Sequence, residues 1–166
     1  FRTMGIVYRG LGEGEKAAAF LGKAVALSRA ALGPDSLEYA DALNEVSGLE
    51  NQELSNEIRS RLLPPNDPRL AGGLWHLGIA QLMRDRPEAE ATLQRGLSIL
   101  TNMAERDRQL ELFFLNDLGM ARAKRGDYEG AVELMHQSVR IREEIYREDN
   151  PDRIMGLNTL GYFLML

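Results

Sequence analysis

Two long segments of the chain carry their apolar residues at helical spacing. Ala17, Phe20, Leu21, Ala24, Val25, Leu27 and Ser28 form one apolar-to-small stripe; Val132, Leu134, Met135, Val139, Ile141 and Ile145 form another. Recurrence at three and four residues places each set on one side of a helix. No segment shows period-two alternation between hairpin turns, the mark of a strand. The pattern predicts an all-α chain.

A shorter frame recurs across the sequence: a large apolar residue, two further positions, another apolar residue, then a small one. FRTMG starts at position 1, LNEVS at 43, LWHLG at 74, LNDLG at 115 and LNTLG at 157, so the intervals are 42, 31, 41 and 42 residues. Small residues follow each frame at matched distances. Gly5 is followed by Ala17 and Ala24, Gly78 by Ala89 and Gly96, and Gly119 by Ala131 and Ser138. The second and third members are always 7 residues apart, two helical turns, so they share a face. Matched small residues on two helices let the helices approach closely. That gives the glycines a reason to stand inside helices, where each costs about 1 kcal/mol against alanine.

Turn signals fall where pairs of helices need them. GLGEGEKA at 10–17, DRPEA at 85–89 and RGDYEGA at 125–131 link the members of a pair. LGPDSLEYA at 32–40, LPPNDPRLA at 63–71 and YREDNPDRI at 146–154 link one pair to the next. Ser36, Asp67 and Asn150 read as N-caps, with Pro68 and Pro151 as first helical residues, and Gly33 before Pro34 as a helix stop. A period of 41–42 residues built from two antiparallel helices reads as an α-solenoid.

Composition narrows the function. The 166 residues are 44% hydrophobic and 27% charged, with a net charge of -5 and a pI of about 5.2. An acidic chain lacks the basic face that direct nucleic-acid binding requires. No apolar run approaches the ~20 residues of a membrane-spanning helix, so no membrane contact is expected. There is no cysteine, which fits a reducing compartment such as the cytoplasm. His76 and His136 stand alone, without a second metal ligand at helical spacing or a nearby nucleophile. GLGEG at 10–14 has neither a preceding strand nor a following GK[ST], so it is no phosphate loop. The acidic pairs Glu143–Glu144 and Glu88–Glu90 read as solvated helix surface. The chain is therefore read as a non-enzyme with no cofactor and no metal. Opening on Phe1 and Arg2, it is expected to be a segment of a longer protein.

These residues resemble the tetratricopeptide repeat (TPR) family, whose pattern runs large–x–x–Leu–Gly–x–x–Tyr, then Ala, a large apolar residue and Ala. FRTMGIVY with Ala17, Leu21 and Ala24 follows it nearly throughout, Tyr8 included. The long period and the phrases ALGPDSLEYADALN and IREEIYREDNPDRIMGLNTLG look like the 42-residue variety of kinesin light chains and bacterial signalling proteins. The resemblance implies a right-handed superhelix with units at about 1–35, 36–66, 67–106 and 107–149 and a half unit at 150–166. Departures are visible. The second unit is 31 residues long and lacks the Ala/small pair, so a truncated second helix is expected there. Arg122 stands where the pattern has Tyr, and Gly161 belongs to a last unit with a first helix only. That helix ends in GYFLML, which either meets a missing helix or forms a homodimer contact.

In this family the first helices line a concave groove that binds peptides. The second residue of each frame would face it, namely Arg2, Asn44, Trp75, Asn116 and Asn158, with Ile79, Met120 and Tyr162 one turn further and Phe113 beside them. Three asparagines in register would offer a ladder of amides to a peptide main chain, and the aromatic residues would supply anchors. Some members grip a C-terminal carboxylate with basic residues and Asn. Ile6, Glu45, Gly72 and His76 occupy the corresponding sites here, so that ligand is not implied. The resemblance thus implies a scaffold whose partner is a protein or peptide. Two other readings stand beside it: a regulatory segment of a larger bacterial signalling or transcriptional regulator, and a self-assembling scaffold joined through its last helix.

Overall fold

The computed structural model describes residues 1–146, together with 150, 151 and 161. The described residues form eight helices and no strand: α1 (Arg2–Gly10), α2 (Gly14–Leu32), α3 (Leu37–Asn44), α4 (Leu49–Leu62), α5 (Pro68–Met83), α6 (Ala89–Thr101), α7 (Arg108–Lys124) and α8 (Tyr128–Ile145). Each helix packs on the next, and α5 also touches α7. Short links make sequential neighbours antiparallel. The first helices of the pairs, α1, α3, α5 and α7, form one layer of an α-solenoid.

Local chemistry starts and stops these helices as the sequence indicates. The Ser36 hydroxyl accepts from the Tyr39 N–H at 3.3 Å, and the Asp67 carboxylate accepts from the Arg69 N–H at 2.9 Å ahead of Pro68. Two further caps carried no proline to announce them: Asp107 accepts from Leu110 N–H and Asp127 from Gly130 N–H, both at 2.9 Å.

The frame glycines sit where helices close on one another. A Cβ on Gly78 would lie 2.5 Å from the Leu93 side chain, and one on Gly5 would lie 2.6 Å from Leu21. Gly119 faces Met135 in the same way. Gly96 works between pairs, because a Cβ there would enter the ring of Phe114. Ala17, Ala89 and Ala131 are buried beneath the same contacts, as are Ala24 and Ser138. Tyr8 stacks on Phe20 with centroids 5.3 Å apart. The main core joins Leu70, Leu74, Leu93, Leu100, Phe114 and Leu118 across three helices.

The short unit is built differently from the expectation. Its first helix is the truncated one: α3 has 8 residues, and α4 is a full 14. The chain leaves the helix at residues 45–48, where Gly48 takes φ +129°, a conformation that excludes helix and favours glycine. A helix cut short frees carbonyls that need donors. Here side chains supply them. Gln52 of α4 donates to the Asn44 and Val46 carbonyls at 3.1 and 3.2 Å, and Asn51 to that of Ser47 at 3.3 Å. Arg9 reaches across from α1 to the Glu45 carbonyl at 3.1 Å. The break is thus a capped feature of the fold, and α4 buries Gln52, Ser55, Asn56 and Arg59 behind it.

One surface expectation also changes. Glu90 is mostly buried rather than solvated, and it accepts from Arg122 at 3.3 Å and Arg125 at 2.6 Å. That pairing accounts for arginine in the place of the pattern's tyrosine. Glu88, Glu143 and Glu144 are exposed as expected, and Glu144 pairs with Arg108. Asn158, Tyr162 and most of the GYFLML end lie outside the described residues, as does the homodimer contact expected of that end.

Candidate functional site

The inner layer presents three successive zones. The first lies where α1 faces α3 and α4. Arg2 approaches Asp41 at 3.3 Å, and the same carboxylate accepts from the buried Arg59 at 2.6 Å. Arg59 continues to the Ser55 hydroxyl at 2.5 Å. Gly73 of α5 makes room for this chain, since a Cβ there would lie 3.0 Å from Arg59.

The second zone is a recess of about 210 Å³ opened by the early end of α3. Arg9, Asn44, Glu45, Gln52, His76 and Ile79 are among the residues that line it. Arg9 donates to the Glu45 carboxylate at 2.7 Å. Burial lowers the His76 pKa; Glu45 opposes that, while Arg59 and Arg9 reinforce it. The imidazole is therefore neutral at pH 7, where an ordinary histidine of pKa ~6.5 would already be mostly so. Met83, 79% exposed at the end of α5, also lines the recess.

The third zone joins α5 to α7. Trp75 stacks on Phe113 with centroids 5.1 Å apart and an interplanar angle of 18°. Its indole N–H donates to Asp117 at 2.7 Å. Burial raises the Asp117 pKa, and the indole hydrogen bond only partly opposes this. Met120, 47% exposed, lies on the same helix. Phe113 and Asp117 are four residues apart, so both face Trp75 from one side of α7.

The sequence-derived groove residues are distributed among these zones. Arg2 belongs to the first, Asn44 and Ile79 to the second, and Trp75 and Phe113 to the third. The two described amides of the expected ladder have unlike surroundings. The Asn116 side-chain oxygen accepts from the Ser138 hydroxyl at 2.6 Å, tying α7 to its own partner helix. The Asn44 side-chain oxygen is buried with no hydrogen-bond partner. Sequence reasoning passed over Asp117, Glu45 as the partner of Arg9, and Met83. Asp117 had a signal: it holds the same frame position as His76, next to the position of Trp75.

A wider recess of about 750 Å³ runs along α8 past Arg122, Asp127, Glu133, His136 and Arg140. It is shallow and charged, and it stands apart from the aromatic cluster. Among the described residues no group of three acidic, histidine or cysteine side chains is placed to hold a metal ion. None of their helices is long and apolar enough to cross a membrane.

A stack of paired helices, with glycines at the crossings and first helices side by side in one layer, defines an α-solenoid of the helical-repeat class. The tetratricopeptide repeat family profile matches residues 2–38 and 114–152, and these two segments are tetratricopeptide repeats. The matched segments contain α1 with α2 and the second half of α7 with α8. The shortened unit and its neighbour, α3 to α6, lie largely between them. The fold is that of a crystal structure of kinesin-light-chain-like, nearly identical TPR-like repeats from Podosopora anserina. Identity is 19%, the match covers 99% of this chain and 83% of that one, and the TM-score is 0.79. A point variant of the same repeats matches with a TM-score of 0.81 at 19% identity over the same shares. A search of curated proteins gives no match. TPR arrays are in general protein-interaction modules.

Proposed function

We propose that the inner face formed by α1, α3, α5 and α7 binds a peptide segment of a partner protein, without catalysis. The observation that carries this reading is the cluster of half-exposed apolar and aromatic side chains on α5 and α7. Trp75, Ile79, Met83, Phe113 and Met120 all remain accessible, although neighbouring positions of the same helices are buried. A surface of this kind supplies anchor sites, and the ion pairs of the first zone make a charged rim. Asn44 and the recess at the break of α3 would accept one side chain of the ligand.

The test is a display selection for peptides that bind the chain, followed by fluorescence anisotropy with variants at exposed positions. Met120→Glu and Met83→Glu lie at the surface and leave the core intact. Both are expected to weaken a selected peptide by about tenfold, the effect of ~1.4 kcal/mol. Selected peptides that bind both variants as tightly as the parent would place the interaction elsewhere.

A further inference from the structure

Among the described residues no cation pairs with Asp117, whose one partner is an indole N–H, whereas other acids of the array are paired. Asp41 meets Arg2 and Arg59, Glu45 meets Arg9, and Glu111 meets Arg108 at 2.6 Å and Arg106 at 3.8 Å. Asp85, at the end of the layer, has Lys124. Among the described residues Asp117 receives a single neutral donor, the Trp75 indole N–H. Half-buried acids are ordinarily paired, because desolvation costs more than one neutral hydrogen bond returns. The carboxylate accepts this bond through one oxygen, Oδ2. Two stacked aromatic rings stand beside it.

We propose that Trp75, Phe113 and Asp117 form a subsite for an arginine side chain of the partner. Guanidinium is the cation that fits. It is planar, so it stacks on aromatic faces, and its fork of N–H donors matches a carboxylate. The chain itself uses guanidinium at Asp41, Glu45 and Glu111. The assignment rests on the peptide-groove reading and specifies it: the ligand carries an arginine opposite the α5–α7 junction. The net charge of -5 favours a cationic partner in the same sense.

Trp75 is the only tryptophan in the chain, so its fluorescence reports on this subsite alone. The chain and its Asp117→Asn variant, both checked for helical content by circular dichroism, are titrated with N-acetyl-arginine amide. N-acetyl-citrulline amide at matched ionic strength is the neutral control. The same exchange of arginine for citrulline is made in any peptide selected for binding. Saturable change of Trp75 emission by the arginine probe, absent with citrulline and weakened about tenfold or more in Asp117→Asn, is the expected result. The variant keeps an oxygen for the indole N–H, so a merely structural role would leave probe binding unmoved. Selected peptides that bind equally with arginine or citrulline overturn the subsite and leave the groove reading standing. An Asp117-dependent response to the small probe, with no peptide binding at all, upholds the subsite and overturns the groove. No response to either probe, and no peptide bound, overturns both.

Discussion

At the scale of single residues, close packing decides what each glycine is for. Gly96 faces the ring of Phe114, a fully buried side chain fixed between α6 and α7. Gly96→Ala is therefore expected to destabilise by about 1–3 kcal/mol, the range for overpacking a filled core. Gly72 also lies inside a helix, yet nothing approaches the place of its Cβ. Gly72→Ala is expected to stabilise, by up to about 1 kcal/mol from helix propensity. Urea titration of the two variants would show opposite shifts; equal shifts would mean that packing does not separate them. Asp117 makes a residue-scale prediction about pH. Its pKa is raised in the folded chain, chiefly by burial. The stability linked to the protonated acid is thus fully present below the ordinary carboxylate pKa and is lost as pH rises through the folded value. Asp117→Asn removes this penalty. Its melting temperature should exceed that of the parent at pH 7, and the gap should close below pH ~4, where the unfolded acid is also protonated. A gap independent of pH would contradict the assignment.

At the scale of elements, the short α3 shows how a break is made stable. The helix ends at Asn44, and Gly48, held at positive φ, turns the chain into α4; the break is capped because Gln52, Asn51 and Arg9 take up the freed carbonyls. Gln52 carries most of this, with two bonds from one amide. Gln52→Ala would leave the Asn44 and Val46 carbonyls without those donors. The expected loss is about 1–3 kcal/mol, the cost of buried unpaired polar groups. Thermal melts would measure it. An unchanged melting temperature would mean that water replaces the amide at no cost, and the break would then owe nothing to Gln52.

At the scale of the whole molecule, the break divides the array. The core around α5, α6 and α7 is apolar and continuous, whereas α4 brings a polar layer of Gln52, Ser55, Asn56 and Arg59 to its neighbours. Tyr39, Ala40, Leu43 and Ile58 form a separate small cluster on the N-terminal side. Repeat arrays are stabilised by nearest-neighbour interfaces, so a weaker interface lets one side open by itself. Native-state hydrogen exchange should show amides of α1 to α4 opening at lower free energy than those of α5 to α7. A single opening energy across all of them would mean that the polar layer couples the pairs as firmly as an apolar one. The same division places the recess of the second zone at the weak joint and the aromatic cluster on the firmer side, where a binding site benefits from rigid support.

Much of the architecture was legible in the sequence, for a physical reason. Helix pairing in a solenoid is local: each contact joins residues within one repeat or the next, so the pattern of large and small residues records it directly. The frame glycines, the paired alanines, the caps at Ser36 and Asp67 and the family likeness all followed from spacing. Which helix of the short unit was truncated did not follow. That depended on Gly48 adopting positive φ and on donors from α1 and α4, separated from α3 along the chain. The roles of the three zones were equally out of reach. Asn44 and Asn116 hold the same frame position, yet only contacts with Ser138 on one side and a broken helix end on the other give them different tasks. Sequence reasoning passed over Asp117, which only folding placed beside Trp75. Sequence by itself determined the repeat and its build from paired helices. Tertiary structure decided which polar groups and charges of the described residues found partners in one another, because hydrogen bonds and charge pairs form between side chains that only folding brings within reach.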